Sequence, residues 1–340
     1  MITLFFLLIV AVILFHIAWY YVSRAIIHRE IPDERTIKAF HESEASVFLL
    51  NEVKGIHEEN YLDTANGRLH LDILPHESQE NNRPTLVFIP GTSVYAQFYM
   101  GFMHAIYKEG FNVIAFDPRG HGRSNGPRGD YTIDAIVDDA LAVCAYAKKR
   151  FGDNVGISGS SQGGMAAFYT AARDSSLKAA VCHNLADLNG KDNLVLSQLK
   201  IPAVLVPLAH SVMQWYLNFA LPTFFYLDLK REYLPDGRDV ASFLKKDPLA
   251  ITWITFRALD SLMLTRLAKP VEKISVPVMV VHSDNDHIFP QDYVENIYRR
   301  LSCKKEYLLL KNREHLIMTN NVDEVSPYVA VWLKKIMENP

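Results

Sequence analysis

Apolar residues in this 340-residue chain are distributed in three distinct patterns. The first is one unbroken run. Ile2 to Val22, ITLFFLLIVAVILFHIAWYYV, carries no formal charge, and as a helix it would span roughly 30 Å, the hydrocarbon thickness of a bilayer. Trp19, Tyr20 and Tyr21 close it with aromatic rings suited to a membrane interface. A cleaved signal peptide would need a basic leading region and a small-residue cleavage site, and neither is present. A helix that is apolar on every face is rare in a soluble core. Residues 1–23 are therefore expected to be a retained transmembrane anchor. Arg24 and Arg29 follow the span, and by the positive-inside rule they put the remainder of the chain on the cytoplasmic side. Residues 24–60 are mixed and charged, and predict helical pieces that lift the rest off the membrane without chemistry of their own.

The second pattern is a series of short apolar runs of strand length. Pro84–Ile89, Asn112–Phe116, Asn154–Gly159, Leu177–Cys182, Pro277–Val281 and Lys305–Leu310 suit strands buried on both faces. Helical segments separate them: about Ala96–Lys108, Tyr131–Arg150 (with Ile133, Ile136, Val137 and Leu141 at helical spacing), Met165–Ala172, Gln291–Leu301 and Val322–Met337. Ahead of the series, Tyr61–Asp63 and Leu69–Leu74 flank Asn66-Gly67, a strong tight-hairpin signal. His76–Arg83 reads as a polar loop. Strand–helix alternation with short turns specifies an α/β fold with a mostly parallel sheet wound on both faces, and such sheets place their sites at the carboxyl ends of the strands.

The third pattern interrupts the second. Ile201–Leu229 is strongly apolar, but Pro202, Pro207 and Pro222 break it, and His210, Gln214, Asn218 and Asp228 would be costly in lipid. This predicts an inserted helical cap over 185–273, lipophilic on its inner side, in a core made of 61–184 and 274–340.

Composition and charge narrow the picture. A hydrophobic content of 49% with 21% charged residues argues for a globular chain rather than a disordered one. The net charge of −3 gives no basic footprint, which disfavours a nucleic-acid partner. Cys144, Cys182 and Cys303 are odd in number and scattered, so they read as reduced thiols without a disulfide framework or metal spacing. No glycine loop matches a phosphate or dinucleotide cradle, and no cofactor is expected. Nothing in the pattern speaks to oligomeric state.

The candidate chemistry lies at the strand ends. Gly159-Ser160-Ser161-Gln162-Gly163 is Gly-x-Ser-x-Gly between a strand and a helix. In that context the serine takes a strained turn conformation, small neighbours let strand and helix pass closely, and the hydroxyl stands at a helix N-terminus that favours developing negative charge. Further strand ends carry Pro90-Gly91-Thr92, Asp117-Pro118-Arg119-Gly120-His121-Gly122-Arg123-Ser124, Asp284-Asn285-Asp286-His287-Ile288-Phe289-Pro290 and His315.

In this order the motifs resemble the α/β-hydrolase superfamily over about residues 60–338. The nearest branch contains the monoacylglycerol lipases and lysophospholipases, of serine aminopeptidase S33 type. The resemblance implies Ser161 as nucleophile, His315 as base and an aspartate as the acid that orients it. Asp284 and Asp286 compete for that place. The family's Asp-x-x-x-Pro spacing after this strand fits Asp286 to Pro290, leaving Asp284 to stabilise a turn. The backbone N–H groups of Gln162 and Thr92 would form the oxyanion hole. Relatives often carry His-Gly where this chain has Pro90-Gly91. The Arg119–Ser124 stretch reads as a glycine-rich buttress, with His121 outside the mechanism.

Anchor and resemblance together imply a membrane-anchored hydrolase of carboxylic esters, working through an acyl-enzyme on an acyl lipid such as a monoacylglycerol or lysophospholipid. Trp215, Tyr216, Phe219, Phe224 and Phe225 are expected to line an acyl tunnel in the cap. The rival readings are a peptidase or thioesterase on the same triad, an acyltransferase, and a membrane-tethered binding module without activity.

Overall fold

In the computed structural model, which describes residues 2–76, 83–189 and 205–338, eight strands form one sheet in the order β1-β2-β4-β3-β5-β6-β9-β10. The hairpin β1 (Glu58–Thr64) and β2 (Gly67–Leu74) pairs in antiparallel register, Thr64 opposite Gly67. Gly67 holds a φ of 129°, which a side chain would resist. Strand β2 runs antiparallel to β4 (Asn112–Phe116). The other strands, β3 (Thr85–Ile89), β5 (Val155–Ser160), β6 (Ala180–His183), β9 (Val278–Ser283) and β10 (Lys305–Leu310), all pair in parallel.

Alternation along each strand feeds two cores. Val87 and Ile89 of β3, with Ile114 and Phe116 of β4, face α5 (Ile133–Phe151) and α6 (Gln162–Arg173). Leu86, Phe88, Val113 and Ala115 face α4 (Met100–Lys108) and α12 (Val322–Met337). Both faces are covered, which is why these strands carry no polar alternation. Helix α5 starts where Thr132 caps Ala135 N through its hydroxyl, and Gly152 ends it. Helix α10 (Gln291–Arg300) connects β9 to β10, and α11 (Ile317–Asn320) leads from β10 to α12.

The segment that follows the apolar N-terminal helix packs on the core. Asp33 caps α2 (Glu34–Ser43), accepting from Thr36 N, and α3 (Ala45–Phe48) follows. Ile37 of α2 and Phe48 of α3 are fully buried against α4. Glu34 pairs with Arg123 of the Asp117–Ser124 turn, and His41 bonds the Tyr95 hydroxyl. Charges along 24–60 concealed one apolar stripe, and that stripe packs.

Between β6 and β9 the sheet is interrupted by α7 (Val206–Met213), α8 (Val240–Lys246), α9 (Phe256–Leu264) and a two-stranded antiparallel pair, β7 (Ala220–Pro222) with β8 (Trp253–Thr255). This layer is mixed, not purely helical. Its predicted portion over 190–204, and residues 77–82 of the predicted polar loop, lie outside the described residues.

Helix α1 (Ile2–Ile27) projects from this layer. It is long and apolar enough to cross a membrane. Its second half is seated along the inserted layer. His16 Nε2 lies 2.9 Å from the Tyr216 hydroxyl, Trp19 Nε1 donates to Ala220 O at 3.0 Å, and Ala220 N donates to Ser23 Oγ at 2.9 Å. Trp19 also meets Phe219 edge-on and stacks near Tyr216. At the end of the helix Arg128 N donates to Ile27 O, and just past it Arg29 donates to Ala250 O.

Candidate active site

Ser161 stands between β5 and α6 with φ 56° and ψ −120°, a conformation that costs a non-glycine residue on the order of 1–3 kcal/mol. Close packing holds it there. A Cβ on Gly159 would come within 2.2 Å of Gly163 O, and one on Gly163 within 2.0 Å of Ile89 O. No side chain fits either gap, so strand, turn and helix are locked together. Ser161 N donates to His183 O, and Ser161 O accepts from Met165 N to open the helix. The Gln162 N–H then lies in the first turn of α6, where a helix has no internal acceptor for it.

The loop after β3 is tied to this elbow. The buried Gln162 side chain accepts from Thr92 Oγ1 at 3.0 Å and from the Tyr131 hydroxyl at 2.9 Å. Gly91 is the reason the loop can come so close: a Cβ there would lie 2.8 Å from the Tyr99 hydroxyl and 3.4 Å from Ser161 Cβ. The departure to Pro90-Gly91 thus retains the residue that the close approach requires.

His315, buried on the loop after β10, has its Nδ1 2.7 Å from Asp286 Oδ2. Its ring stacks on Phe289 (centroids 5.7 Å, 5° between planes) and leans on His183. The Asp286 carboxylate is heavily solvated by the protein. Oδ1 accepts Ile288 N and Phe289 N at 2.8 Å each, and Oδ2 also accepts Asn184 Nδ2 at 2.8 Å. Asn184 Oδ1 in turn meets His282 Nδ1 at 2.6 Å. Burial alone would raise the Asp286 pKa, but the charge of His315 and these donors hold it well below the carboxylate range. Burial likewise opposes protonation of His315, yet Asp286, aided by the buried Glu232, raises its pKa above the ordinary 6.5. Asp284 points elsewhere, accepting Asn312 N at 2.7 Å with Lys311 Nζ at 3.5 Å. Of the two aspartates, Asp286 is the one within reach of His315, and Asp284 holds the turn.

Ser161, His315, Gly91 and Thr92 line one narrow cavity of about 30 Å³, walled by Phe98, Leu227, Leu229, Val240, Leu244 and Ile288. The five aromatic residues expected to form a tunnel do not line it. Trp215 is 82% exposed, Phe224 63% and Phe225 59%, all facing outward, while Tyr216 and Phe219 pack on Trp19 of α1.

The Asp117–Ser124 turn is a buttress. Asp117 accepts Ala96 N and Arg123 N, Arg119 forks onto Asp139, and Ser124 Oγ links Asp117 O to His70 N. His121 is buried beside Tyr131, and burial pulls its pKa down to about 4. Groups of histidine and carboxylate close enough to hold a cation include His183–Asp286–His315 and His70–Asp72–Asp117. The first is the hydrogen-bonded set above. In the second, His70 Nδ1 lies 3.4 Å from Asp117 Oδ2 and 3.6 Å from Asp72 Oδ2, and burial is outweighed by the two carboxylates, so the imidazole pKa rises to about 9.

Sequence reasoning missed Asn184, His183, His282 and Glu232. Three of them carried a usable signal: His183, Asn184 and His282 sit at the carboxyl ends of β6 and β9, where a site in such a sheet is built.

Comparison with known proteins agrees with this architecture. The family model described as serine aminopeptidase, S33, matches residues 80–322. The bifunctional esterase/perhydrolase DCH of Acinetobacter calcoaceticus is 25% identical over 265 residues, 74% of this chain and 88% of its own. The monoacylglycerol lipase of Paleococcus ferrophilus superposes with a TM-score of 0.61 at 22% identity, covering 78% of this chain and 98% of that one. A soluble variant of the monoglyceride lipase from Saccharomyces cerevisiae gives 0.63 at 19% identity, with 83% and 97% covered. At these identities the superpositions describe the fold.

Proposed function

The chain belongs to the serine aminopeptidase S33 family of α/β-hydrolases, and on that footing we propose that it is a membrane-anchored serine hydrolase of acyl-lipid esters using Ser161, His315 and Asp286. Hydrolysis of an ester is the activity that family and relatives support. Ser161 Oγ attacks the ester carbonyl while His315 Nε2 takes its proton, since a serine hydroxyl needs a base within reach. The N–H groups of Gln162 and Thr92 receive the oxyanion, each such donor contributing about 3–4 kcal/mol to barrier lowering. His315 then protonates the departing alcohol and deprotonates the water that frees the acid. Asp286 keeps the proton on Nδ1 and stabilises the imidazolium.

The observation that carries this reading is the strained Ser161 elbow facing one cavity with a His315 already oriented by Asp286. Among the described residues that wall the cavity none is a carboxylate, and the buried Glu232 acts on His315 from beyond that wall. This favours an uncharged acyl group over a substrate ammonium, and so an ester over an aminoacyl peptide.

The test is labelling of the full chain in detergent by a fluorophosphonate, beside Ser161→Ala. The parent should label and the variant should not. Hydrolysis of p-nitrophenyl esters should exceed that of aminoacyl p-nitroanilides, and fatty acid rather than a transferred ester should accumulate. A folded parent that stays unlabelled would remove the hydrolase reading.

A further inference from the structure

The seam between α1 and the inserted layer fixes how much helix is free to cross a bilayer. Among the described residues the first side-chain contact of α1 with the layer is His16 on Tyr216, and from there to Ile27 one side of the helix lies against the protein. The free part, Ile2 to Phe15, rises only about 21 Å. A bilayer core is about 30 Å thick, so a helix that spans it must carry roughly 9 Å of attached protein into the hydrocarbon.

Exposure at the level of the seam agrees. On the side of α1 turned away from the protein, Ile17 is 48% exposed, Tyr21 68% and Val22 54%. These residues sit level with Trp19 and its contact to Phe219, so lipid that covers them reaches the inserted layer as well. That layer shows lipid a matching surface, with Leu205, Leu208, Val212, Trp215, Phe224 and Phe225 all exposed. Large apolar side chains exposed in this number on one layer mark a binding surface. The seam also resolves a polar problem, because His16, costly inside an apolar helix, has its ring nitrogens on Tyr216 and on Val12 O.

We propose that the cap is seated in one leaflet, with α1 as its post and Trp215, Phe224 and Phe225 against acyl chains. The segment 224–229 passes from this outer surface to Leu227 and Leu229 in the wall of the catalytic cavity. Esters therefore reach Ser161 from the bilayer, not from water. The proposal rests on the anchored-hydrolase reading above and names its entry face.

The experiment uses the full chain in phosphatidylcholine vesicles, with Cys303→Ser removing the one cysteine that is not buried. A nitrobenzoxadiazole label is placed at Phe6→Cys in the free helix, at Trp215→Cys and Phe224→Cys on the cap, and at Tyr328→Cys on α12 as the aqueous control. Nitroxide lipids and aqueous iodide are the quenchers. The helix label and both cap labels should be quenched by lipid nitroxide at least twofold more than the control, and the cap labels by nitroxides nearer the headgroup. A quenched helix label with cap labels open to iodide would overturn the cap proposal and leave the anchor intact. An unquenched helix label would overturn the anchor itself. Cap labels shielded from both quenchers would mean a second copy of the chain covers this face, and would overturn the proposal too. In the kinetic arm, Phe224→Ser with Phe225→Ser should lower kcat/KM on a vesicle-borne ester about tenfold and leave a short soluble ester unchanged. Equal losses on both substrates would count against membrane entry.

Discussion

Asp286 and Asp284 are two residues apart in sequence and differ in everything that matters chemically. Asp286→Asn keeps the shape and the backbone donors but removes the charge that fixes the His315 tautomer, so kcat should fall by about 10⁴ with little loss of stability. Asp284→Asn should leave kcat within a few-fold and cost about 1 kcal/mol through the Asn312 and Lys311 contacts. Steady-state kinetics and urea unfolding of both variants separate the roles. The raised pKa of His315 sets the pH dependence. A base must be neutral to accept the Ser161 proton, so kcat/KM should rise with pH through a limb lying above the ordinary 6.5. Removing the Asp286 charge leaves burial to dominate, and the residual activity of Asp286→Asn should show its limb displaced to lower pH.

At the scale of elements, the hairpin β1–β2 carries a buried charge cluster as well as a sheet edge. His70 faces Asp72 and Asp117, with Glu59 and Arg123 alongside, and Asp72 Oδ1 also accepts from His57. The folded-state pKa of His70 is raised to about 9, so its contribution is whole below 6.5 and is lost as pH climbs through 9. The window is worth roughly 3 kcal/mol at one unit per 1.36 kcal/mol. Urea unfolding between about pH 6 and pH 9.5 should show this loss in the parent and a flatter profile in His70→Gln. This cluster also shows what the sequence conveyed and what it withheld. The strand–helix alternation, the Ser161 elbow and the position of His315 were legible, since each rests on local pattern and short turns. His70 and Asp72 were not: polar residues in a hairpin read as solvent-facing, and only the return of Arg123, Asp117 and Gln97 from distant elements buries them. The pairing of β7 with β8 was invisible for a related reason, being three residues on each side with about thirty between them and no periodicity to announce it.

For the molecule as a whole, α1 is part of the fold. Ser23 and Ile27 are buried, and the helix donates to and accepts from Ala220. Removing residues 1–15 should therefore leave the unfolding free energy of the globular part near that of the parent. Removing residues 1–30 should cost about 3 kcal/mol or more, from the Trp19, Ser23, Ile27 and Arg29 contacts. Urea unfolding in matched detergent measures both.

The seam has one more consequence, for biogenesis. His16 and Trp19 leave the ribosome about 200 residues ahead of their partners Tyr216 and Ala220. At ~5–20 residues per second α1 waits roughly 10–50 s, its polar groups uncovered, until the strand that completes the seam has been made. Helix α1 and the catalytic domain cannot mature independently. A nascent chain halted before Phe256 would display an orphan histidine and tryptophan, a distinct mark of unfinished synthesis.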